Sequence, residues 1–237
     1  MIDPTDLSEA CDMSDDFLAP QHGTRGEPTV AASLPRGLSI ALSREAGSRG
    51  SSIARRVSAR MGWDIYTQEM IEVLAQESAL NREIANELPE GAAEWVHEHL
   101  QQLLQEQSIS RNPQVMELAR VIALLGVQGE VVLLGRGAGC VLPPASTLHV
   151  RLVAPLHDRV AYMGQCLRLT EEEADDQVRR RDQRRAEFLS THFHRKPSDM
   201  HQYDMVLNTS FLGEETCADL IVQAAKAKMN AGYSGDE

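Results

Sequence analysis

The chain has 237 residues, 42% hydrophobic and 24% charged, proportions of a folded globular protein that exclude collagen-like, disulfide-scaffold and wholly disordered chains. Its longest strongly apolar run, Val121 to Val127, is far shorter than the roughly 18 residues a bilayer-crossing helix requires, so no membrane span is expected. The formal net charge of -12 argues against a long nucleic acid as partner. Half of that excess lies in one segment: residues 1–35 hold Asp3, Asp6, Glu9, Asp12, Asp15, Asp16 and Glu27 against Arg25 alone.

In chain order, residues 1–35 mix acids with Ser, Pro, Gly and Thr and carry too little apolar surface to offset the entropy of ordering, so a disordered acidic tail is expected there. Leu38 to Leu42 is a short β-compatible run, followed by Ser43-Arg44-Glu45-Ala46-Gly47-Ser48-Arg49-Gly50-Ser51-Ser52 and a helix with Ile53 and Val57 on one face. The interval 66–127 reads almost entirely helical: Val96, Leu100, Leu103 and Leu104 form one stripe, Val115, Leu118, Ala119, Ile122 and Leu125 another. Val131 to Leu134, Leu148 to Val153 and Tyr203 to Leu207 are further strand runs, with helical spacing between them, and the last residues, 230–237, look frayed. Strands alternating with helices imply a parallel sheet, here with a helical insertion inside a domain spanning 36–229. In such sheets ligands bind beyond the carboxyl ends of the strands, where the loops with Gly47, Arg136 and Asn208 gather.

The turn after the first strand combines Gly47, Gly50, Ser51 and Ser52 at a strand-to-helix junction. Glycines let backbone N–H groups approach an anion, a helix N-terminus favours negative charge, and a hydroxyl can serve Mg²⁺. The lysine of Gly-x4-Gly-Lys-[Ser/Thr] is absent; Gly50 stands in its place when Ser51 is aligned on the pattern's hydroxyl residue. An ordinary turn with serine capping fits this segment equally well. The basic segment Arg179-Arg180-Arg181-Asp182-Gln183-Arg184-Arg185 likewise reads two ways, as forks for phosphoryl oxygens or as a solvated helix whose arginines pair with Glu171 to Asp176. Gly135-Arg136-Gly137 ends a strand with a sharp turn that sets Arg136 in the ligand crevice, or else Arg136 packs along a helix. His97-x-His99 and His192-x-His194 have poor metal spacing or lack a third ligand. Cys11, Cys140, Cys166 and Cys217 form no Cys-x-x-Cys pair and the N-terminus shows no apolar signal core, so the cytoplasm is the expected compartment.

Taken together, five ordered segments resemble the cytidylate kinase-like family, a branch of the P-loop nucleoside monophosphate kinases. They are Ile40 to Gly50, Val132-Leu133-Leu134-Gly135-Arg136-Gly137, Ala154-Pro155-Leu156-His157-Asp158-Arg159, Arg181-Asp182-Gln183-Arg184-Arg185 and Tyr203-Asp204-Met205-Val206-Leu207-Asn208-Thr209-Ser210. The resemblance implies a three-layer α/β/α core with a five-stranded parallel sheet, a helical monophosphate-binding insertion (66–127) and an arginine-bearing lid (170–198). It also implies ATP and Mg²⁺ as cofactors and a nucleoside monophosphate, CMP or dCMP, as acceptor. Carried over by position, Gly47, Ser48, Arg49, Gly50, Ser51 and Ser52 wrap the ATP phosphates, with Ser51 as the Mg²⁺ hydroxyl. Arg136 resembles the arginine of the family's Gly-Arg-Asp motif, which meets the acceptor monophosphate; the aspartate of that motif is Gly137 here. Asp182 and Arg185 resemble an Asp-x-x-Arg lid element, the aspartate directed to the acceptor nucleoside, and Arg159, Arg179 and Arg181 are further phosphate-facing residues. With no P-loop lysine, Arg44, Arg49 or the lid arginines must supply its charge. The alternatives are a nucleotide-binding regulatory protein without turnover and a kinase of another small metabolite.

Overall fold

The computed structural model describes residues 34–77 and 88–232; the acidic segment 1–33 lies outside them. Five strands, β1 (Ser39–Arg44), β2 (Asp64–Tyr66), β3 (Val131–Leu134), β4 (Thr147–Val153) and β5 (Met205–Asn208), form one sheet in the order β2-β3-β1-β4-β5. Every neighbouring pair is parallel, and β1 sits in the middle with Ile40 opposite both Val132 and Leu148. The crossovers are helices: α1 (Gly50–Met61), α2 (Gln68–Gln76), α3 (Ala92–Gln105), α4 (Pro113–Gln128), α5 (Ala138–Val141), α6 (Leu156–Leu167), α7 (Glu171–Phe193) and α8 (Thr209–Gly232). No helix among the described residues is long and apolar enough to cross a membrane.

Because successive strand residues face opposite sides, the sheet divides two cores. Ile40, Leu42, Val132, Leu134, Val150 and Leu152 pack on one side against Ile53 and Val57 of α1 and Cys217 and Ile221 of α8. Ala41, Val131 and Leu133 face the other side, against Ile122 and Leu125 of α4. Helix α4 is buried nearly all round, from Val115 to Val127, because α2 and α3 cover the faces the sheet leaves open. This is a three-layer α/β/α core.

Strand β2 is the element that periodicity misses. It is three half-buried residues, Asp-Ile-Tyr, too short for an alternation to register, and the helical reading of the following interval starts on its last residue. At the other end α8 continues to Gly232, past the expected onset of fraying, after a break at Gly213 (φ 78°, ψ 164°) that separates its first turn from the long helix.

Parallel strands buried on both faces are near-continuous apolar runs, and β3, Val-Val-Leu-Leu, is one. Strand β4, Thr-Leu-His-Val-Arg-Leu-Val, is not: His149, Arg151 and Val153 alternate with buried residues on a face covered only in part, by the short helix α5 against the His149 ring. His149 is fixed there by its backbone N–H donating to Asp204 (2.7 Å), by its ring Nδ1 donating to the Gln202 carbonyl (2.8 Å), and by edge contact with the Tyr203 ring. Burial lowers its pKa from 6.5 to about 4, the Gln202 bond opposing this more weakly.

Since His149 is neutral in the fold but protonates readily once unfolded, its contribution is fully present above pH 6.5 and is lost as pH falls toward 4. Urea titrations across that window should show stability declining with acidity, and His149→Gln should flatten the profile relative to the parent. Gly129 supplies a second test, because its φ 67°, ψ 178° backbone is nearly exclusive to glycine and an added Cβ would sit 2.8 Å from the Gly37 nitrogen. Gly129→Ala should cost about 1–3 kcal/mol or more. Gly62→Ala, also at positive φ but with open space around it, should cost only ~1 kcal/mol by the same measurement.

Candidate functional site

The loop leaving β1 is built from two backbone reversals. Gly47 has φ 78° and lies so close to α6 that a Cβ would be 2.6 Å from the Arg159 carbonyl. Arg49 (φ 58°) then stands at the N-cap of α1 in a left-handed conformation, with no side-chain cap and no acid in the first turn. Serine capping is therefore not what shapes this turn. The N–H groups of a 12-residue helix open toward the carboxyl edge of the sheet, an arrangement that suits an anion. Ser51, buried in the first turn, stands beside them. The other loop side chains are turned elsewhere: Ser48 Oγ donates to the Glu45 carbonyl at 2.9 Å, Ser52 donates to Glu214, and Arg49 pairs with Glu214 at 3.6 Å while covering the Tyr162 ring.

A cavity of about 670 Å³ opens beside this loop, at the carboxyl ends of β1 and β3 and across the open face of β4, between α2 and α7. Six arginines line it: Arg44, Arg136, Arg151, Arg181, Arg184 and Arg185. Of the residues the sequence singled out, Arg44, Arg136, Arg181, Asp182 and Arg185 meet there, whereas Gly47 to Ser52 form the adjacent loop and Arg159 lies behind it.

Arg136 projects from three consecutive left-handed residues, Gly135 (φ 89°), Arg136 (φ 49°) and Gly137 (φ 72°). Both glycines are required by packing as well as by φ. A Cβ on Gly135 would strike the Arg44 guanidinium, and one on Gly137 would lie 2.5 Å from the Phe193 ring. A left-handed arginine costs ~1–2 kcal/mol, and such strain is found where a side chain must be aimed. Here the Arg136 guanidinium is aimed into the cavity, paired with Glu72 of α2 and set over the Phe188 ring of α7 at 5.1 Å.

Helix α7 starts with a full capping box, Thr170 with Glu173, and presents two faces. On the outer one Arg179 pairs with Asp175 and Arg180 with Asp176, so for these two the solvated-helix reading holds. The inner face carries Arg181, Asp182 and Arg185. Asp182 Oδ1 accepts the Ala46 N–H at 2.7 Å, and Oδ2 pairs with Arg159 Nη1 at 2.5 Å. Arg159, 8% exposed, also donates from Nε to the Ala154 carbonyl (2.9 Å) and from Nη1 to the Ala46 carbonyl (3.1 Å). It clasps the loop from behind.

Sequence reasoning missed Arg151, Glu69 and Glu72. Arg151 donates to Ser43 Oγ at 3.0 Å and lies by the Tyr203 ring; the legible signal was a charged residue alternating within an otherwise apolar strand. Glu69 and Glu72 follow directly on the carboxyl end of β2, a strand that had not been recognised. One histidine of each pair is held within the fold: His99 bonds the Val141 carbonyl and stacks on Trp95, and His192 bonds Ser110. Among the described residues no group of three or more His, Cys, Asp or Glu could hold a metal ion.

Known proteins resemble parts or all of this chain to different degrees. A curated relative, uronate isomerase of Corynebacterium glutamicum, is 34% identical over 98 residues, a match spanning 41% of this chain and only 19% of that protein. An uncharacterized protein from Eubacterium ventriosum has a similar fold, with TM-score 0.62 at 16% identity over 80% of this chain and 98% of its own. TT1252 from Thermus thermophilus (TM-score 0.44, 16% identity, 81% and 98% covered) and shikimate kinase from Bacteroides thetaiotaomicron (0.40, 13%, 80% and 97%) are more distant. The model of the cytidylate kinase-like family matches residues 39–211, from the first residue of β1 into the first turn of α8, and the chain belongs to that family.

Proposed function

We propose that the protein is a nucleotide kinase that transfers the γ-phosphoryl group of ATP, with Mg²⁺, to a nucleoside monophosphate, CMP or dCMP. The observation that carries this reading is the convergence of Arg44, Arg136, Arg181 and Arg185, from three separate elements, in one cavity beside an uncapped helix N-terminus. The lining sums to six arginines against Glu45, Glu69, Glu72 and Asp182, a net of two positive charges in a chain whose total is -12. Phosphoryl transfer asks mainly for positioning and charge neutralisation, which this set can supply.

The donor phosphates fit the loop between β1 and α1. Gly47 and Gly50 leave its backbone open, the α1 N–H groups point outward, and the position of Ser51 in the first turn supports it as the Mg²⁺ hydroxyl. Bound there, ATP supplies the transferable phosphoryl group. The acceptor phosphate fits Arg136, whose planar fork is held by Glu72 and Phe188, with Arg185 and Arg181 opposite on α7. Arg44, at the junction of the two regions, is the cation best placed to stand in for the absent lysine. The clasp of Asp182 on Ala46 and Arg159 favours a second reading, a nucleotide-binding protein without turnover, since it fastens α7 onto the loop. A kinase of another small phosphorylated metabolite keeps the same site with a different acceptor.

Incubation with ATP, Mg²⁺ and each monophosphate should yield ADP and one preferred diphosphate; nucleotide binding by calorimetry with no ADP from any acceptor would favour the second reading. Arg136→Ala should lower kcat/KM by roughly 10²–10³-fold. Arg180→Ala, on the outer face of α7, should stay within about twofold, since exposed ion pairs contribute little. Asp182→Ala should speed hydrogen exchange at the Ala46 amide, and unchanged exchange would show that the carboxylate does not hold the loop.

A further inference from the structure

Four carboxylates line the cavity, and three are committed within the protein. Glu45 Oε2 accepts the Ala154 N–H at 3.0 Å and lies 3.4 Å from Arg159. Asp182 uses one oxygen on the Ala46 N–H and the other on Arg159. Glu72 is ion-paired with Arg136. The fourth, Glu69, has its Oε1 buried without a hydrogen-bond partner. Buried polar oxygens are nearly always hydrogen-bonded, and a carboxylate withdrawn from water is expensive unless a donor meets it. A carboxyl oxygen offers acceptor lone pairs, so the partner that Oε1 lacks is an N–H or O–H donor.

Its place relative to Arg136 decides what it can meet. Glu69 and Glu72 are three residues apart on one helix, neighbours about 5–6 Å apart at Cβ. Glu72 holds Arg136, so an acceptor phosphate seated on Arg136 lies about one helical turn from Glu69. A carboxylate repels the phosphate itself. What it can take is the neutral remainder of the same molecule, provided that part carries an N–H or O–H.

We propose that Glu69 selects the acceptor by accepting a hydrogen bond from a donor on its non-phosphate end, either an exocyclic amine of the base or a hydroxyl of the sugar. This rests on the acceptor reading of the cavity given above. The aspartate of the lid, which the family resemblance directs to the acceptor nucleoside, is committed to the loop in this chain, and Glu69 is the carboxylate left to do that work.

The test uses the full-length protein and two matched pairs of monophosphates. CMP and UMP differ at the exocyclic amine; CMP and dCMP differ at the 2′-hydroxyl. Dissociation constants by calorimetry and kcat/KM by ADP release are measured for the parent, Glu69→Leu and Glu69→Gln, each checked for folding by its thermal transition. The parent should prefer the donor-bearing member of one pair by roughly 10–100-fold, and Glu69→Leu should bring that ratio near one while the other pair is unchanged. Glu69→Gln, which keeps an acceptor oxygen of the same reach, should retain part of the preference. Which pair responds identifies the amine or the hydroxyl as the source of the donor. Ratios equal in parent and Glu69→Leu for both pairs overturn the proposal, as does a parent with no preference in either. If the monophosphates bind with a Glu69-dependent preference but no ADP forms, the kinase reading fails and the selection role stands. If turnover proceeds with unaltered ratios, the selection role fails and the kinase reading stands. Absence of binding for every monophosphate overturns both.

Discussion

The Arg159–Asp182 clasp is the contact on which the arrangement of the site depends. It joins three stretches that are far apart in sequence: the loop after β1 at Glu45 and Ala46, the junction from β4 to α6 between Ala154 and Arg159, and α7 at Asp182. Buried charge is tolerated here because the Arg159 donors meet backbone carbonyls and carboxylates, and Asp182 gains a backbone N–H besides its partner arginine. Removing Asp182 would leave Arg159, the buried member of the pair, short of one of its carboxylate partners. Around this centre Ala46 packs against Val160 and Met163 of α6 and Ala174 and Val178 of α7, so the polar clasp is sheathed in apolar contacts. The helix pair α6–α7 is thereby carried on the same loop that leads into the uncapped N-terminus of α1.

Six arginines around one cavity repel each other, and the fold keeps them apart by assigning each resolved partner to a different element. Arg136 has a carboxylate from α2 and an aromatic face from α7. Arg151 has a hydroxyl from β1 and the Tyr203 ring. Aromatic faces hold a guanidinium without neutralising it, so positive potential persists where an anionic ligand would enter. A net charge of -12 for the chain is compatible with this, because a cleft concentrates its own field and charge elsewhere is screened within about 8 Å at physiological ionic strength.

How much of this is legible in the sequence varies with the kind of interaction. Strands β1, β3 and β5 announce themselves as apolar runs and β4 as an alternation interrupted by His149 and Arg151, whereas β2 is three half-buried residues and leaves no pattern. Losing β2 also hides Glu69 and Glu72, which acquire meaning only when α2 is seen to start at the ligand edge of the sheet. The arginine run on α7 is ambiguous by charge alone. Its sparse apolar residues, Ala174, Val178, Phe188 and Phe193, mark the buried stripe, and Arg181, Asp182 and Arg185 fall beside them while Arg179 and Arg180 do not. The clasp is not legible at all, since two of the Arg159 contacts are to backbone carbonyls and any residue can supply those.

The missing lysine is explained by the same economy of space. A Cβ at Gly50 would lie 2.9 Å from Arg44 Cγ and 3.0 Å from Arg44 Cβ, atoms near the backbone that cannot swing aside as a side-chain tip can. The Arg44 guanidinium then runs on over Gly135, whose own missing Cβ leaves the room for it. Glycine at both positions therefore frames one buried arginine at the carboxyl end of the central strand. A lysine at position 50 would compete with Arg44 for this space, so the cation found at this point of the site is the one anchored on β1. Arg44 is 8% exposed and begins from a strand paired on both sides, which makes it more rigidly placed than a lysine on a four-carbon stem. The loop thus departs from the usual pattern at two coupled positions, and the coupling is steric: the glycine at 50 is the condition for the arginine at 44.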